Sequence, residues 1–281
     1  MEYLFYFFTF IFGAVIGSFL NVVIFRYNTG MTIMGRSFCF SCNKQLTWTE
    51  LFPVFSFLAL GGKCRFCKSK ISKQYTIVEI MMGIISSLIF WKLGGMTLFL
   101  NKITAVRLDV EWLISIAFLF IIFGLLVAIC VYDFKHKIIP DFWVYSFAVV
   151  AFLRLIFLSG TLSFDLTNWN LFAGPILAFP FALLCLVSDG RWMGLGDAKL
   201  TLGIGWFLGL TQGLVAIVLA FWIGAIFGVV LLLIQKLSES SFFHRKVTMK
   251  SELPFAPFLI IGLFLVFFVP DIMNYVGIWM L

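Results

Sequence analysis

Trp112 to Val131 reads WLISIAFLFIIFGLLVAICV, without a single charge, and Tyr132-Asp133-Phe134-Lys135-His136-Lys137-Ile138-Ile139-Pro140-Asp141 follows directly. A run of about 20 apolar residues is what a helix needs to cross the hydrocarbon core of a bilayer. Backbone at that depth must satisfy its own hydrogen bonds, so a single segment crosses as a helix. The run therefore predicts a membrane helix that delivers a carboxylate, Asp133, to its polar edge. A second carboxylate, Asp197, sits in Gly194-Leu195-Gly196-Asp197-Ala198-Lys199, again where apolar sequence meets polar sequence. An ionisable group at membrane depth is costly and marks function by default.

The rest of the chain extends the same pattern. Its 281 residues are 62% hydrophobic with mean hydropathy +1.09, and only 12% are charged, against roughly 25% in a soluble domain. The fold class is all-α: a polytopic membrane protein of about eight transmembrane helices with a small zinc-knuckle loop domain. The net charge of +7 does not call for nucleic acid. Eight of the 20 Lys and Arg residues (Arg26, Arg36, Lys44, Lys63, Arg65, Lys68, Lys70 and Lys73) share one polar segment with a single acid, Glu50. That is the positive-inside bias, and it places residues 26–75 in the cytoplasm, with attraction to anionic headgroups following. The 37 Phe residues are lipid-facing bulk.

Spans are expected at 3–25, 76–98, 112–131, 141–159 and 169–187, then a short one at 199–210, a full one at 213–235, and an eighth opened by Pro254-Phe255-Ala256-Pro257. The first is a retained span, with no small-residue cleavage site behind it. Splitting 199–235 near Gly209-Leu210-Thr211-Gln212-Gly213 keeps the basic loop 236–253, with Lys236, His244, Arg245, Lys246 and Lys250, on the inner side. Both aspartates then share the cytoplasmic face. The outer loops carry Lys102, Arg107, Asp109 and Asp165. Gly203, Gly205, Gly209, Gly224 and Gly228 suggest close helix–helix packing.

Cys39-Phe40-Ser41-Cys42 and Cys64-Arg65-Phe66-Cys67 are two CxxC knuckles with 21 residues between them. Such a pair can fold back to present four thiolates to zinc, the other readings being a redox or free-thiol role and no shared site. The site is structural, since protein fills all four positions. A cytoplasmic loop argues against disulfides, and a segment this poor in apolar residues would draw folding free energy from the metal. Cys130 and Cys185 lie in apolar runs as small packing residues.

Asp133 and Asp197 can meet only through the fold. If they do, their repulsion splits the titration and keeps one protonated near neutral pH. The ionised carboxylate then draws a proton from water while the protonated one polarises a carbonyl. Gly194 and Gly196 let backbone and substrate approach Asp197 without a Cβ clash, and Pro140 fixes where Asp133 points. Taken singly, each aspartate reads as readily as a solvated helix end or N-cap. Asp141 could cap the following helix, and Asp189 could be a solvated loop acid. Lys135, His136 and Lys137 are interfacial charges. Lys199 either offsets the charge on Asp197, meets an acid on a substrate, or snorkels.

Taken together, these blocks resemble a known family. Gly17-Ser18-Phe19-Leu20-Asn21-Val22-Val23-Ile24 with Arg26, the paired knuckles with Leu46-Thr47-Trp48-Thr49-Glu50 between them, Ile71-Ser72-Lys73-Gln74-Tyr75, Val78-Glu79, the two aspartate motifs and Pro254-Phe255-Ala256-Pro257-Phe258 are similar, in that order, to type IV prepilin peptidases. These are the bifunctional leader peptidases and N-methyltransferases among the GxGD membrane aspartyl peptidases. The resemblance spans about residues 10–262. It implies that Asp133 and Asp197 are catalytic, that prepilins and pseudopilins lose their basic leader at the cytoplasmic face of the bacterial inner membrane, and that S-adenosylmethionine supplies a methyl group to the new α-amine. It implies a methyltransferase-associated region at 1–99 and a peptidase domain at 100–281. Glu50 and Glu79 are candidates for the donor site, or salt-bridge partners of the basic loop. Phe40, Asn28, Thr76 and Ala256 depart from the family's common residues, Ala256 standing for a Gly. The partners implied are pilin-like substrates and the lipid bilayer. The alternatives are a peptidase without methyltransferase activity and a non-enzymatic zinc-knuckle adaptor or transporter, although the boundary position of the acids and the lack of an internal repeat speak against transport.

Overall fold

Every regular element among the described residues of the computed structural model is helical, apart from two isolated β-bridges; the description covers residues 2–32, 34–95, 110–158, 169–237, 254–269 and 271–272. The helices are α1 (Glu2–Arg26), α2 (Phe55–Ala59), α3 (Gln74–Lys92), α4 (Val110–His136), α5 (Asp141–Leu158), α6 (Asn170–Val187), α7 (Leu195–Leu208), α8 (Leu210–Leu237) and α9 (Ala256–Phe268), with a short 3-10 turn at Trp48–Leu51. The protein is an all-α polytopic membrane protein in which α1, α3, α4, α6 and α8 are each long and apolar enough to span a bilayer. The expected charges at Lys102, Arg107, Asp109 and Asp165, the basic loop 236–253 and the end of the last span lie outside the described residues.

The chain divides into two compact units, Met1–Val131 and Tyr132–Leu281. In the first, α1 packs along α3. The reason is a small-residue seam: a Cβ on Gly13 would lie 2.3 Å from the Met82 carbonyl oxygen, and one on Gly17 2.9 Å from the Glu79 Cα. Small residues let helix backbones close to this range, which is the main source of helix affinity in lipid. Polar bonds add to it, with Ser86 Oγ donating to the Thr9 carbonyl at 2.7 Å and Asn21 Nδ2 to the Tyr75 carbonyl at 3.0 Å. α1 ends where Asn28 takes φ 61°, the left-handed conformation that commonly follows a helix C-terminus.

In the second unit α7 is the centre, packed against α5 and α6, while α9 lies along α8. Gly205 faces Gly174 so closely that a Cβ would come within 2.6 Å of the Gly174 Cα. Gly203 fits under the Phe147 ring, whereas Gly228 has nothing within 4 Å; of the glycines expected to pack closely, Gly228 does not. The division between α7 and α8 falls at Gly209, with φ 83°, within the turn expected from the sequence. Pro175 and Pro180 lie inside α6, which membrane helices tolerate because neighbouring groups satisfy the freed carbonyls.

Candidate functional site

Asp133 lies in the last turn of α4, one turn further into the helix than its place after the apolar run suggested. The helix stops three residues later, because Lys137 adopts φ 55° and its N–H donates to the Asp133 carbonyl at 2.7 Å. Pro140 follows and accepts the Val144 N–H at 3.1 Å as α5 begins. Tyr132 stacks on His136 with ring centroids 4.4 Å apart. The Asp133 side chain is only 4% exposed. Its carboxylate accepts the backbone N–H of Ala256, at the first position of α9, where helical N–H groups lack partners and the helix dipole favours an anion. Its Oδ2 is buried with no hydrogen-bond partner among the described residues.

Asp197 occupies the third position of α7, with Gly194 as the N-cap. Its N–H donates to the Gly194 carbonyl at 3.3 Å as the helix begins. Asp133, 64 residues away in sequence (197 − 133), lies in the same unit and within electrostatic reach of Asp197. The loop after Asp133 also meets the glycine motif directly. A Cβ on Gly196 would lie 3.0 Å from the Ile139 Cβ, whereas one on Gly194 meets no side chain within 4 Å. Gly196 is therefore small because Ile139 packs there, and Gly194 is the more open of the two.

The neighbouring charges are placed differently from some expectations. Lys199 donates to Asp141 Oδ1 at 2.6 Å and lies 5.0 Å from the Tyr145 ring centroid, so its partner is Asp141 rather than Asp197. Asp189 is exposed, with φ 48°, in the turn that follows α6. Residue type marked out neither Ile139 nor the Ala256 N–H. The Pro254–Phe258 block was visible as a motif, but a backbone donor leaves no side-chain signature.

The four knuckle cysteines converge in the first unit. The Sγ atoms of Cys39, Cys42, Cys64 and Cys67 all lie within 4.8 Å of one another. The knuckles are built alike: Cys39 N–H donates to the Lys44 carbonyl and Cys64 N–H to the Ser69 carbonyl, both at 2.9 Å. The residue after each second cysteine, Asn43 or Lys68, turns through positive φ. Lys44 of one knuckle lies 4.1 Å over the Phe66 ring of the other. Zinc–sulfur bonds of about 2.3 Å put tetrahedral sulfurs about 3.8 Å apart, and Cys39 Sγ and Cys67 Sγ are 3.8 Å apart. The N–H groups of Ser41 and Cys42 pull the Cys39 thiol down to about 6. At Cys42 the Lys44 N–H pulls the same way, but burial and the neighbouring sulfurs prevail and push the thiol up to about 11. Thiolates so crowded need a cation to ionise together, and the donor set fits zinc. Cys185 is buried as expected, while Cys130 is only half-buried.

Among the described residues neither Glu50 nor Glu79 forms a salt bridge to the basic loop, one of the two readings open for each. Glu50 Oε2 accepts the Thr47 N–H at 2.8 Å and the Thr47 hydroxyl at 2.9 Å, closing a local capping turn. Glu79 is 7% exposed and its Oε2 accepts the Val54 N–H at 2.8 Å.

Known proteins resemble both units. A model of the bacterial peptidase A24 N-terminal domain matches residues 11–93, and one of the type IV leader peptidase family matches residues 118–229. A prepilin leader peptidase/N-methyltransferase of Stutzerimonas stutzeri is 30% identical over 277 residues, covering 89% of this chain and 86% of its own. Proteins of the same description from Vibrio cholerae (30% identical, 75% of this chain and 80% of its own) and Bacillus subtilis (28% identical, 93% of each) are also similar. No solved structure matches significantly.

Proposed function

Since the chain belongs to the type IV prepilin leader peptidase family, we propose that Asp133 and Asp197 form its catalytic pair and cut the leader from prepilins and pseudopilins at the cytoplasmic face of the bacterial inner membrane. One observation carries this reading: the loop that follows Asp133 packs on the glycine motif that bears Asp197, with Ile139 against Gly196. Asp197 is taken as the acid and Asp133 as the base, the division of labour that a carboxylate pair needs. Asp133, oriented by the Ala256 N–H, takes a proton from water, and the water oxygen attacks the scissile carbonyl carbon. Asp197 gives its proton to the carbonyl oxygen. When the tetrahedral centre collapses, the C–N bond breaks, the proton on Asp133 goes to the leaving nitrogen, and Asp197 recovers its own. The partnerless Oδ2 of Asp133 is free to hold the water.

The eight helices α1 and α3–α9 are assigned as spans, which puts the knuckle loop and both aspartates on one side. Residues 1–99 form the methyltransferase-associated region and 100–281 the peptidase domain, a division supported by a boundary between the two family matches. Cys39, Cys42, Cys64 and Cys67 would hold zinc as a structural clamp, supplying no step. The second activity is methylation of the new α-amine with S-adenosylmethionine. The test is incubation of purified full-length protein with a prepilin, with and without that donor. Loss of cleavage in both Asp133→Asn and Asp197→Asn is expected, and unchanged cleavage in either refutes the pair.

A further inference from the structure

The first unit contains a cavity of about 330 Å³, within the roughly 300–1,000 Å³ of small-molecule sites. Ser18, Phe25, Tyr75 and Glu79 of α1 and α3 line it with Leu60 and Ile71 of the loop; the other charged groups on the lining are Glu50, Arg65, Lys70 and Arg26, whose guanidinium is turned to the Thr32 and Arg36 carbonyls. Cys39 and Cys64 also reach its wall, so the knuckle clamp shapes it. Phe25 and Tyr75 stack at 4.6 Å and 16°, giving the cavity an aromatic wall.

Glu79 is the unusual member. A buried carboxylate is costly without compensation, and the donor that holds this one, the Val54 N–H, is neutral. The Val54 N–H is presented at a conformational cost. Val54 has φ 62° and ψ −51°, and Phe55 N–H donates to the Pro53 carbonyl at 2.6 Å. That is a γ-turn of the rare, strained form, and a β-branched residue there is an outlier. Such strain persists where surrounding structure over-determines it, most often at functional sites. Here it fixes a carboxylate on the wall of a ligand-sized cavity.

We propose that this cavity is the methyl-transfer chamber and that Glu79 receives the α-amine of the cleaved pilin there. The proposal rests on the methyltransferase part of the proposed function. An ammonium is the cation that a fixed buried carboxylate attracts, and Glu79 lies near the start of α3, the end nearest the knuckle loop. The ammonium gives a proton to Glu79. The nitrogen lone pair then bonds to the donor's methyl carbon, the carbon–sulfur bond breaks, and its electron pair stays on sulfur as a neutral thioether.

The experiment uses the full chain in detergent with S-adenosylmethionine and a prepilin, and reads leader cleavage, methylation by mass spectrometry and donor binding by calorimetry. In Glu79→Gln, methylation is expected to fall about 10²-fold or more, as for loss of a proton acceptor, and to recover in part with rising pH as free amine forms. Donor affinity is expected to stay within about threefold, under 1 kcal/mol, with cleavage unchanged and Glu79→Asp restoring part of the methylation. Leu60→Trp, which fills the cavity, is expected to weaken donor binding at least about tenfold while bound zinc and cleavage are retained. Wild-type methylation in Glu79→Gln, or in Leu60→Trp, overturns the proposal. Absence of methylation and donor binding in the wild-type protein overturns the methyltransferase reading itself.

Discussion

Cleavage should fade on both sides of a pH optimum because Asp197 must carry a proton while Asp133 is ionised. Asp197 stands in the first turn of α7, and Asp133, 4% exposed, stands in the last turn of α4. Two carboxylates that share a low-dielectric site give up their protons in two separate steps, so the profile of kcat/KM should be bell-shaped. Beyond the second step the fraction of enzyme that still holds the proton falls tenfold per pH unit, and kcat/KM should fall tenfold per unit with it. Removing either proton-transfer group should cost about 10²–10⁴-fold at the optimum. The assay is initial-rate leader cleavage from pH 5 to 9 for the wild-type protein, Asp133→Asn and Asp197→Asn. A flat wild-type kcat/KM over that range, or a variant that keeps the wild-type rate and both limbs of the profile, refutes the argument.

Two other outcomes test the packing and the metal site. Gly205→Val must push the Ala173 carbonyl and the Gly174 backbone, both 2.6 Å from a Cβ there, and overpacking of this kind costs about 1–3 kcal/mol; thermal unfolding should show it as a lower Tm. Cys64→Ser removes a buried knuckle sulfur, so bound zinc measured by elemental analysis should drop well below one per chain, with leader cleavage retained in the second unit.

The helices were legible because they are long apolar runs, and a bilayer leaves such runs one conformation. The break at Gly209 was legible too, because the run was too long for one span and carried glycines in the right place. The seam between α1 and α3 was not drawn out, although Gly13 and Gly17 have the spacing of a helix-packing motif; their partner is on a helix some 60 residues away, and pairing is not a local property. At the site, side chains that act through their own chemistry were visible: the two aspartates and the four cysteines. What escaped was supplied by main chain or by pairing. The Ala256 N–H, the Val54 N–H and the Lys199–Asp141 contact depend on which segments meet, and residue type does not encode that.

The hydrogen bond from the Ala256 N–H to Asp133 makes one contact of the site robust to mutation. Any residue but proline supplies the same donor, so drift at position 256 is limited by volume rather than by chemistry, and Ala256 itself is fully buried. A side-chain scan would pass over this contact, since only proline deletes the donor. The orientation of Asp133 is in this respect inherited with the fold of α9 rather than maintained residue by residue.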